Sequence, residues 1–459
     1  MAAIGTLKKK IQRKFKIRGF TLKTEAIDEA ISFLSRFPDA EDEALELLID
    51  ELDKETLKSS ILDREAIHRV VSLLVEADEA IDPSSEGMSN RVALRVIDSF
   101  VVPRFRYDPI KRVFYEHTGN LPIHGEAGDK ASLYRDRYQL LLQRLSRDKY
   151  FSRPVFDTEM TEADSCEVNT CGFPPLEDRD ASISLLMGLD FFGGGILSTE
   201  ETLRLSSLEK KAVNDMFVIL SDVWVDNNET MEKLAVVLDG YESVEVVPSL
   251  FVLMGNFCSH PCNLSFHSFS SLRMQFGKLG EMIKSHPRIK EHSRFLFIPG
   301  PDDAGPSKAL PRCALPKYLT DELQKNVPNA IFSSNPCRVK FYTQEIVFFR
   351  QDLLYRMRRS SLIPPSTEDT SDPFEHLVAT ITHQSHLCPL PLTIQPIIWN
   401  YDHCLRLYPT PHTIVLGDQS EPKDYKYTGI TCFNPGSFAH DSTFAAYRPC
   451  TQEVELSAL

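Results

Sequence analysis

From residue 217 onward, several short apolar runs end beside residues that can bind a cation or a proton. "FVIL" (217–220) leads into Ser221-Asp222-Val223-Trp224, and "LFVLM" (250–254) into Gly255-Asn256-Phe257. "FLFI" (295–298) leads, after Pro299, into Gly300-Pro301-Asp302-Asp303. "TIVL" (413–416) leads into Gly417-Asp418-Gln419-Ser420, and His386 of "SHLCPL" stands alone before it. An apolar run closed by Asp is how a parallel sheet sets a carboxylate at the mouth of a strand. Asp222, Asp302 and Asp418, with Asn256 and His386, make an oxygen-rich set suited to Mg²⁺ or Mn²⁺. The chemistry of such a set is phosphodiester hydrolysis, in which the metal activates a water and offsets charge on the phosphoryl oxygens. A divergent metal-dependent phosphodiesterase is therefore one reading of these residues.

Other groupings carry less. Cys258 and Cys262 flank His260, but no second ligand pair at regular spacing follows, so they read as buried or loop thiols. "FFGGG" (191–195) lacks the Gly-Lys-Ser/Thr of a phosphate loop and reads as a turn. His383, near His386 at a helix end, reads as a hydrogen-bonded structural histidine. Asp302-Asp303 and Asp402 have no matching base or nucleophile. Trp224 and Trp399 read as core or interface anchors.

The elements that must position these residues follow from periodicity. From about Leu186, apolar runs at 216–220, 249–254, 294–298, 340–349 and 413–416 alternate with helical patterns. Ser198 and Glu201 form a capping box. Leu272, Phe276, Leu279 and Ile283 share one helical face. Asp372-Pro373 is a cap with proline at the first helical position, before Phe374, Leu377, Val378 and Ile381. Such alternation predicts a layered α/β domain with sites on the loops after its strands.

Upstream, residues 24–77 read as short amphipathic helices. Ile27, Ala30, Ile31 and Leu34 follow Thr24; Leu45, Leu48, Ile49 and Leu52 follow Asp39; Ile67, Val70, Val71 and Leu74 follow Asp63. "DEAIDPSSEGMSN" (78–90) reads as a linker. "PRFRYDPIKRVFYE" reads as a hairpin turning at Asp108-Pro109. A helix is expected from about Asp129 to Arg147, with Tyr134, Tyr138, Leu141, Leu142 and Leu145 as its apolar face.

A length of 459 residues predicts two or three domains. Ten scattered cysteines predict reduced thiols rather than a disulfide framework. No apolar run reaches the length of a membrane span, and no signal-type apolar segment follows Met1, so no membrane partner and no secretion are expected. Net charge is −14, yet residues 1–24 hold eight Lys/Arg and no acid, leaving −22 on the remainder. A body that acidic is poorly suited to holding DNA by its phosphates. The basic arm (Lys8, Lys9, Lys10, Arg13, Lys14, Lys16 and Arg18) reads as a nuclear address, a nucleic-acid or partner-binding arm, or the solvated face of a helix packed through Ile11, Phe15 and Ile17.

The order of the strand-end motifs, closed by Asn434-Pro435-Gly436-Ser437, resembles the calcineurin-like phosphoesterase fold. Active members of that fold show Asp-x-His, Gly-Asp-x-x-Asp, Gly-Asn-His-Asp or Glu, a lone His, Gly-His-x-His, and then an Asn-(Pro/Ser)-Gly-(Ser/Thr) turn. Against that pattern Trp224 replaces a histidine and Asn256 a bridging aspartate. Pro301 and Asp302 replace an Asn-His pair, and Asp418 and Ser420 replace two histidines. Asp222 and His386 remain. The resemblance implies a degenerate site with no metal, no cofactor and no catalytic residue, Trp224 filling the volume vacated by a metal and its histidine.

"ILSDVWVD", "LMGNF", "FIPGPDD", "SSNPCRV", "HLCPLPL" and "FNPGSF", in this order, resemble the B subunits of the eukaryotic replicative DNA polymerases, the epsilon branch most of all. That resemblance implies a nuclear, non-catalytic accessory subunit with a multi-domain α+β and α/β fold. The expected organisation is an N-terminal helical bundle (1–77), a linker (78–90), a hairpin, helix and truncated OB remnant (91–180), and an inactive two-sheet phosphoesterase-like domain (181–459). The implied partners are the C-terminal cysteine-rich domain of the DNA polymerase epsilon catalytic subunit and, through the N-terminal domain, GINS and the replicative helicase. DNA is met mainly through the complex. An OB barrel needs five strands and ~70 or more residues. Here only "TEADSCE" separates "YFSRPVFDTEM" from "VNTCGFPPLEDR", so the middle of the barrel is expected to be missing, with unpaired strand edges left behind.

Overall fold

The computed structural model describes residues 93–148, 179–185, 188–262, 266–361 and 372–459, with residue 176 and scattered positions between 11 and 67. The chain separates into two units, Met1–Val92 and Ala93–Leu459.

In the first unit, Ile11, Phe15, Ile27, Ala30, Leu45, Leu48 and Ile67 are buried. These are apolar-stripe positions of the expected helices. β1 (Thr21–Leu22) pairs in parallel with β2 (Ile61–Leu62). Lys14 and Lys16 are helical. Lys8, Lys9, Lys10, Arg13 and Arg18, the 78–90 linker and most of the expected bundle lie outside the described residues.

The second unit begins with β3 (Leu94–Asp98), β4 (Phe105–Asp108), β5 (Val113–Glu116), α1 (Ala127–Leu145), α2 (Arg179–Leu185) and α3 (Thr199–Glu209). It continues with β6 (Phe217–Ser221), α4 (Asn228–Ser243), β7 (Leu250–Met254), α5 (Phe266–Lys284), α6 (Pro287–His292), β8 (Arg294–Ile298), α7 (Lys317–Asn326) and β9 (Ala330–Phe332). β10 (Cys337–Phe341), β11 (Gln344–Arg350), α8 (Leu353–Ser360) and α9 (Pro373–His383) follow. The chain closes with β12 (Thr413–Gly417), β13 (Lys423–Tyr427), β14 (Ile430–Asn434), α10 (Phe438–Asp441), β15 (Thr443–Arg448) and β16 (Glu453–Ala458).

Two six-stranded sheets dominate this unit, in the orders β16-β15-β6-β7-β8-β9 and β13-β14-β12-β11-β10-β3. Alternation along the strands explains their stacking. Phe217, Ile219, Leu250 and Val252 of the first sheet pack against Val339, Phe341, Ile346, Phe348 and Val415 of the second. The intervening residues Val218, Leu220, Phe251 and Leu253 face α4, α5 and α7. Val347, Phe349, Ile414 and Leu416 of the second sheet face α8 and α9. The central strands are thus covered on both faces, which is why they read as unbroken apolar runs.

The Ser198 capping box, the Asp372 cap and the buried α5 face of Leu272, Phe276, Leu279 and Ile283 form as their sequence patterns predict. Three elements differ. The run at 340–349 is not one strand: Tyr342 takes a φ of 51°, and β10 turns back on β11 with Phe341 opposite Gln344. β3 pairs with β10, so residues on both sides of the expected 180/181 boundary build one sheet. On α1, Tyr134 and Tyr138 are 49% and 60% exposed, while Leu133, Leu140, Gln143 and Arg144 are buried. Polar partners orient this helix. Arg137 pairs with Asp402 at 2.5 Å, and Arg144 donates to the His383 carbonyl and to Ser385 Oγ. The hairpin β4–β5 forms at the expected place, its turn held by Asp108 accepting the N–H groups of Ile110 and Lys111. The expected barrel remnant at 150–160 and 168–175 lies outside the described residues.

Candidate functional site

The mouths of β6, β7, β8, β11 and β12 converge on one buried arginine. Arg350 ends β11, and Asp222 directly follows β6 with a left-handed φ of 57°. Arg350 Nη2 donates to Asp222 Oδ1 at 2.6 Å, and neither side chain has any exposed surface. Its Nη1 donates to Asp352 at 2.8 Å and to the Gly417 carbonyl at 3.1 Å, and its Nε to the Gly255 carbonyl. The guanidinium is thereby satisfied on every side. Burial disfavours its charge, but Asp222 and Asp352 outweigh that and hold its pKa above the ordinary arginine range. Gly417 is required for this packing. A Cβ there would lie 2.9 Å from Arg350 Cδ and 2.9 Å from Ser221 Oγ.

The remaining oxygen of Asp222 is also engaged. Ser437 Oγ donates to Oδ2 at 3.0 Å, and the Asn256 N–H donates to Oδ1 at 3.0 Å. Ser437 in turn contacts His440 Nδ1 at 2.8 Å, and the His440 ring meets Trp224 edge-on at 4.8 Å. Asn256 Oδ1 accepts the Asp302 N–H at 3.0 Å. Pro301 gives its carbonyl to Arg312, and the Asp302 side chain turns to Lys308 at the surface.

Asp303 is the buried acid of this loop. It accepts the N–H groups of Phe257 and Gly300, both at 2.7 Å, and burial raises its pKa against those bonds and against Arg312 and Arg350. Asp418 accepts the N–H groups of Ser420 and Leu354, the latter in the first turn of α8. Asn434 accepts the Asp418 N–H and donates to the Ser420 carbonyl and hydroxyl.

Of the residues expected together, Asp222, Asn256, Pro301, Asp302, Asp418 and Ser420 share this network, and Trp224 joins it through His440. His386 does not. Its Nε2 lies 3.2 Å from Asp402, and its Nδ1 accepts the Cys388 N–H. Burial, with help from Arg137, lowers its pKa to about 4 although Asp402 opposes the shift. The reason is local: Asp402 also pairs with Arg137 and Arg406, which draws the imidazole into that cluster.

The other groupings resolve similarly. The glycines of "FFGGG" wrap the Asp190 carboxylate, which accepts the N–H groups of Gly193 and Gly195. Burial raises the pKa of both the Cys258 and Cys262 thiols, against a reactive or metal-holding role.

This donor set does not fit a metal centre. A cation on Asp222 would have to displace a guanidinium, a hydroxyl and a backbone N–H. Among the described residues no three His, Cys, Asp or Glu side chains converge to hold one. The geometry instead ties the two sheets together. Arg350 and His440 were not singled out from sequence. The signal for Arg350 was a lone charge closing the buried run "IVFFR", since a charge in that position must be paired.

Comparison with known proteins places this chain in a family. A family model for the B subunit of DNA polymerases alpha and epsilon matches residues 217–424, and one described as DNA polymerases epsilon N terminal matches residues 3–73. The DNA polymerase epsilon B subunit of Arabidopsis thaliana is 56% identical over 530 aligned positions, covering 100% of both chains. Since this chain has 459 residues, the difference of 71 positions falls where that relative has residues and this chain has none. DNA polymerase epsilon subunit 2 of Homo sapiens is 31% identical over 525 positions, covering 97% of both chains. Among solved structures, a novel archaeal phosphodiesterase aligns at 10% identity with a TM-score of 0.28, over 53% of this chain and 99% of its own, too slight an overlap to argue from. With identity above half along the entire chain, and family models at both its N-terminal and strand-rich parts, this protein belongs to the family of DNA polymerase epsilon B subunits.

Proposed function

We propose that this chain is a non-catalytic accessory subunit of the DNA polymerase epsilon complex in the nucleus. On this reading the Ala93–Leu459 unit docks on the C-terminal cysteine-rich domain of the catalytic subunit. The N-terminal unit links that assembly to GINS and the replicative helicase, and DNA is met mainly through the complex. The strand-mouth site is a degenerate phosphoesterase site that has become a structural joint. What supports the non-catalytic reading is the guanidinium of Arg350 seated on Asp222, with the second Asp222 oxygen taken by Ser437. A carboxylate so engaged cannot ligate a metal without breaking a buried pair.

The Arabidopsis relative has 71 positions that this chain lacks, a length that fits the ~70 residues of an OB barrel and so supports a shortened barrel. The experiment is co-purification of the full chain with the catalytic polymerase chain, run in parallel with a form carrying a complete barrel. Capture of the catalytic chain by the full-length protein, lost on deleting residues 180–459, supports docking. Capture that survives this deletion, or that only the complete-barrel form achieves, contradicts the docking assigned here.

A further inference from the structure

Five arginines and two aspartates meet between the β4–β5 hairpin, α1 and the 399–408 segment. Arg104 and Arg106 approach Asp136 at 3.0 and 3.4 Å, and Arg137 approaches Asp402 at 2.5 Å. Arg406 lies 3.1 Å from Asp402 and 3.7 Å from Asp136. The fifth, Arg338 on β10, is 5% exposed and makes no ion pair among the described residues. Its Nη atoms donate to the carbonyls of Phe191, Phe192, Cys404 and Arg406, and its Nε is buried without an acceptor. The Nε of Arg106 faces Asp136 Oδ2 at 3.4 Å without an aligned hydrogen bond. Asp136 and Asp402 are each shared among several guanidiniums, and Arg338 is left without an ion-pair partner among the described residues in a buried place, where an unpaired charge is costly.

These groups surround a cavity of about 20 Å³, walled by Phe114, Phe191 and Tyr408 and lined by Arg106, Arg338 and Arg406 together with the Asp136 carboxylate. A second cavity of about 10 Å³ adjoins it and shares Phe191, Arg338, Arg406 and Tyr408. His403 also lines the first cavity. Its Nε2 bonds the Val102 carbonyl at 2.9 Å, and its Nδ1 has no partner. Burial, then Arg406, lowers the His403 pKa to about 3, and burial followed by Arg104 and Arg106 lowers that of His117, so the neighbouring cations add to burial at both imidazoles.

We propose that this cavity is a carboxylate-binding site, in which Arg106 and Arg338 supply the charge-assisted donors. The space suits a carboxylate head and not a substituted phosphate, since a single water already needs roughly 10–15 Å³ on this measure. None of its residues belongs to the Asp222 network, so the site is separate from the strand mouths. The carboxylate comes either from a free small acid or from a Glu or Asp side chain of a polypeptide partner.

The test is a titration of the full chain with ¹³C-formate at constant ionic strength, read by NMR line width and by thermal unfolding. Saturable binding is expected, weakened about tenfold or more in Arg106→Met. Arg106 is partly exposed, so that variant should fold, and Arg106→Lys, which keeps the charge but loses the fork, should fall between. Displacement of formate by Ac-Gly-Glu-Gly-NH₂, but not by its Gln analogue, assigns the polypeptide source. Formate binding without displacement assigns the free acid. Line broadening that never saturates, or that is equal in wild type and both variants, overturns the site.

Discussion

Arg350 and Asp222 meet at 2.6 Å, joining β11 of one sheet to the end of β6 in the other, and both side chains are fully enclosed. A buried pair of this kind is weak as a net source of stability but expensive to break on one side only. Arg350→Met is therefore expected to destabilise the Ala93–Leu459 unit by about 3–5 kcal/mol, because it leaves Asp222 without its counter-ion. Adding Asp222→Asn should recover part of that loss, with a coupling of roughly 0.5–3 kcal/mol in a double-mutant cycle. Denaturant unfolding of the four forms checks this. Strictly additive losses would show that the pair is not coupled.

Trp224→His restores the histidine type of an active Asp-x-His motif, yet it leaves Arg350 on Asp222. It should lower stability by about 0.5–1.5 kcal/mol through loss of the edge-on contact with His440, and should create no Mn²⁺ affinity. Isothermal titration with Mn²⁺ decides the second point, and tight binding by the variant would count against the role given to Arg350.

Stability should fall on acidification as buried histidines take up protons in the unfolded chain. The pKa values of His386, His403 and His412 are lowered to about 4, 3 and 3, in each case first by burial. The unfolded chain binds protons at these histidines below about 6.5, whereas the folded chain does not until far lower pH. Their contribution is present above 6.5 and is lost as pH falls toward 4 and 3. Between pH 6.5 and 5 each costs about 2 kcal/mol. Burial alone would raise the pKa of Asp402, but His386, Arg406 and Arg137 hold it well below its ordinary value, so this group adds to the loss only at lower pH. Unfolding curves at pH 7, 6 and 5 test this, and His403→Gln should make the dependence shallower.

α1 is held by charge rather than by its tyrosines. Asp402→Ala should expose the α1 amides to faster hydrogen exchange, since Arg137 and Arg406 both lose their partner. Tyr134→Ser and Tyr138→Ser should each cost under about 0.5 kcal/mol, as surface changes do. Exchange of residues 127–145 by mass spectrometry separates these outcomes. Protection unchanged by Asp402→Ala would mean that apolar contacts anchor the helix.

The strands covered on both faces were legible because burial on two sides leaves an uninterrupted apolar run, as in β6, β7, β8 and β12. The turn between β10 and β11 was not, because Tyr342-Thr343 carries none of the Gly or Asn that marks such hairpins. β3 was hidden because "LRVID" pairs with a strand more than 200 residues away, and only its tertiary neighbours define it. α1 shows the limit of periodicity: its tyrosines satisfy an apolar pattern, but buried guanidinium pairs decide which face turns inward. At the site, the strand-end motifs fixed where Asp222, Asn256 and Asp418 would gather. The cation that meets Asp222 came from Arg350, 128 residues downstream, and no local spacing connects the two.

Metal content of the full chain, equilibrated with Mn²⁺, freed of excess and measured beside Asp222→Ala by mass spectrometry, addresses the central claim most directly. Trace, equal metal in both proteins is the predicted result. Stoichiometric manganese in the wild type that disappears with Asp222→Ala would contradict it, showing that a metal and not Arg350 neutralises this carboxylate.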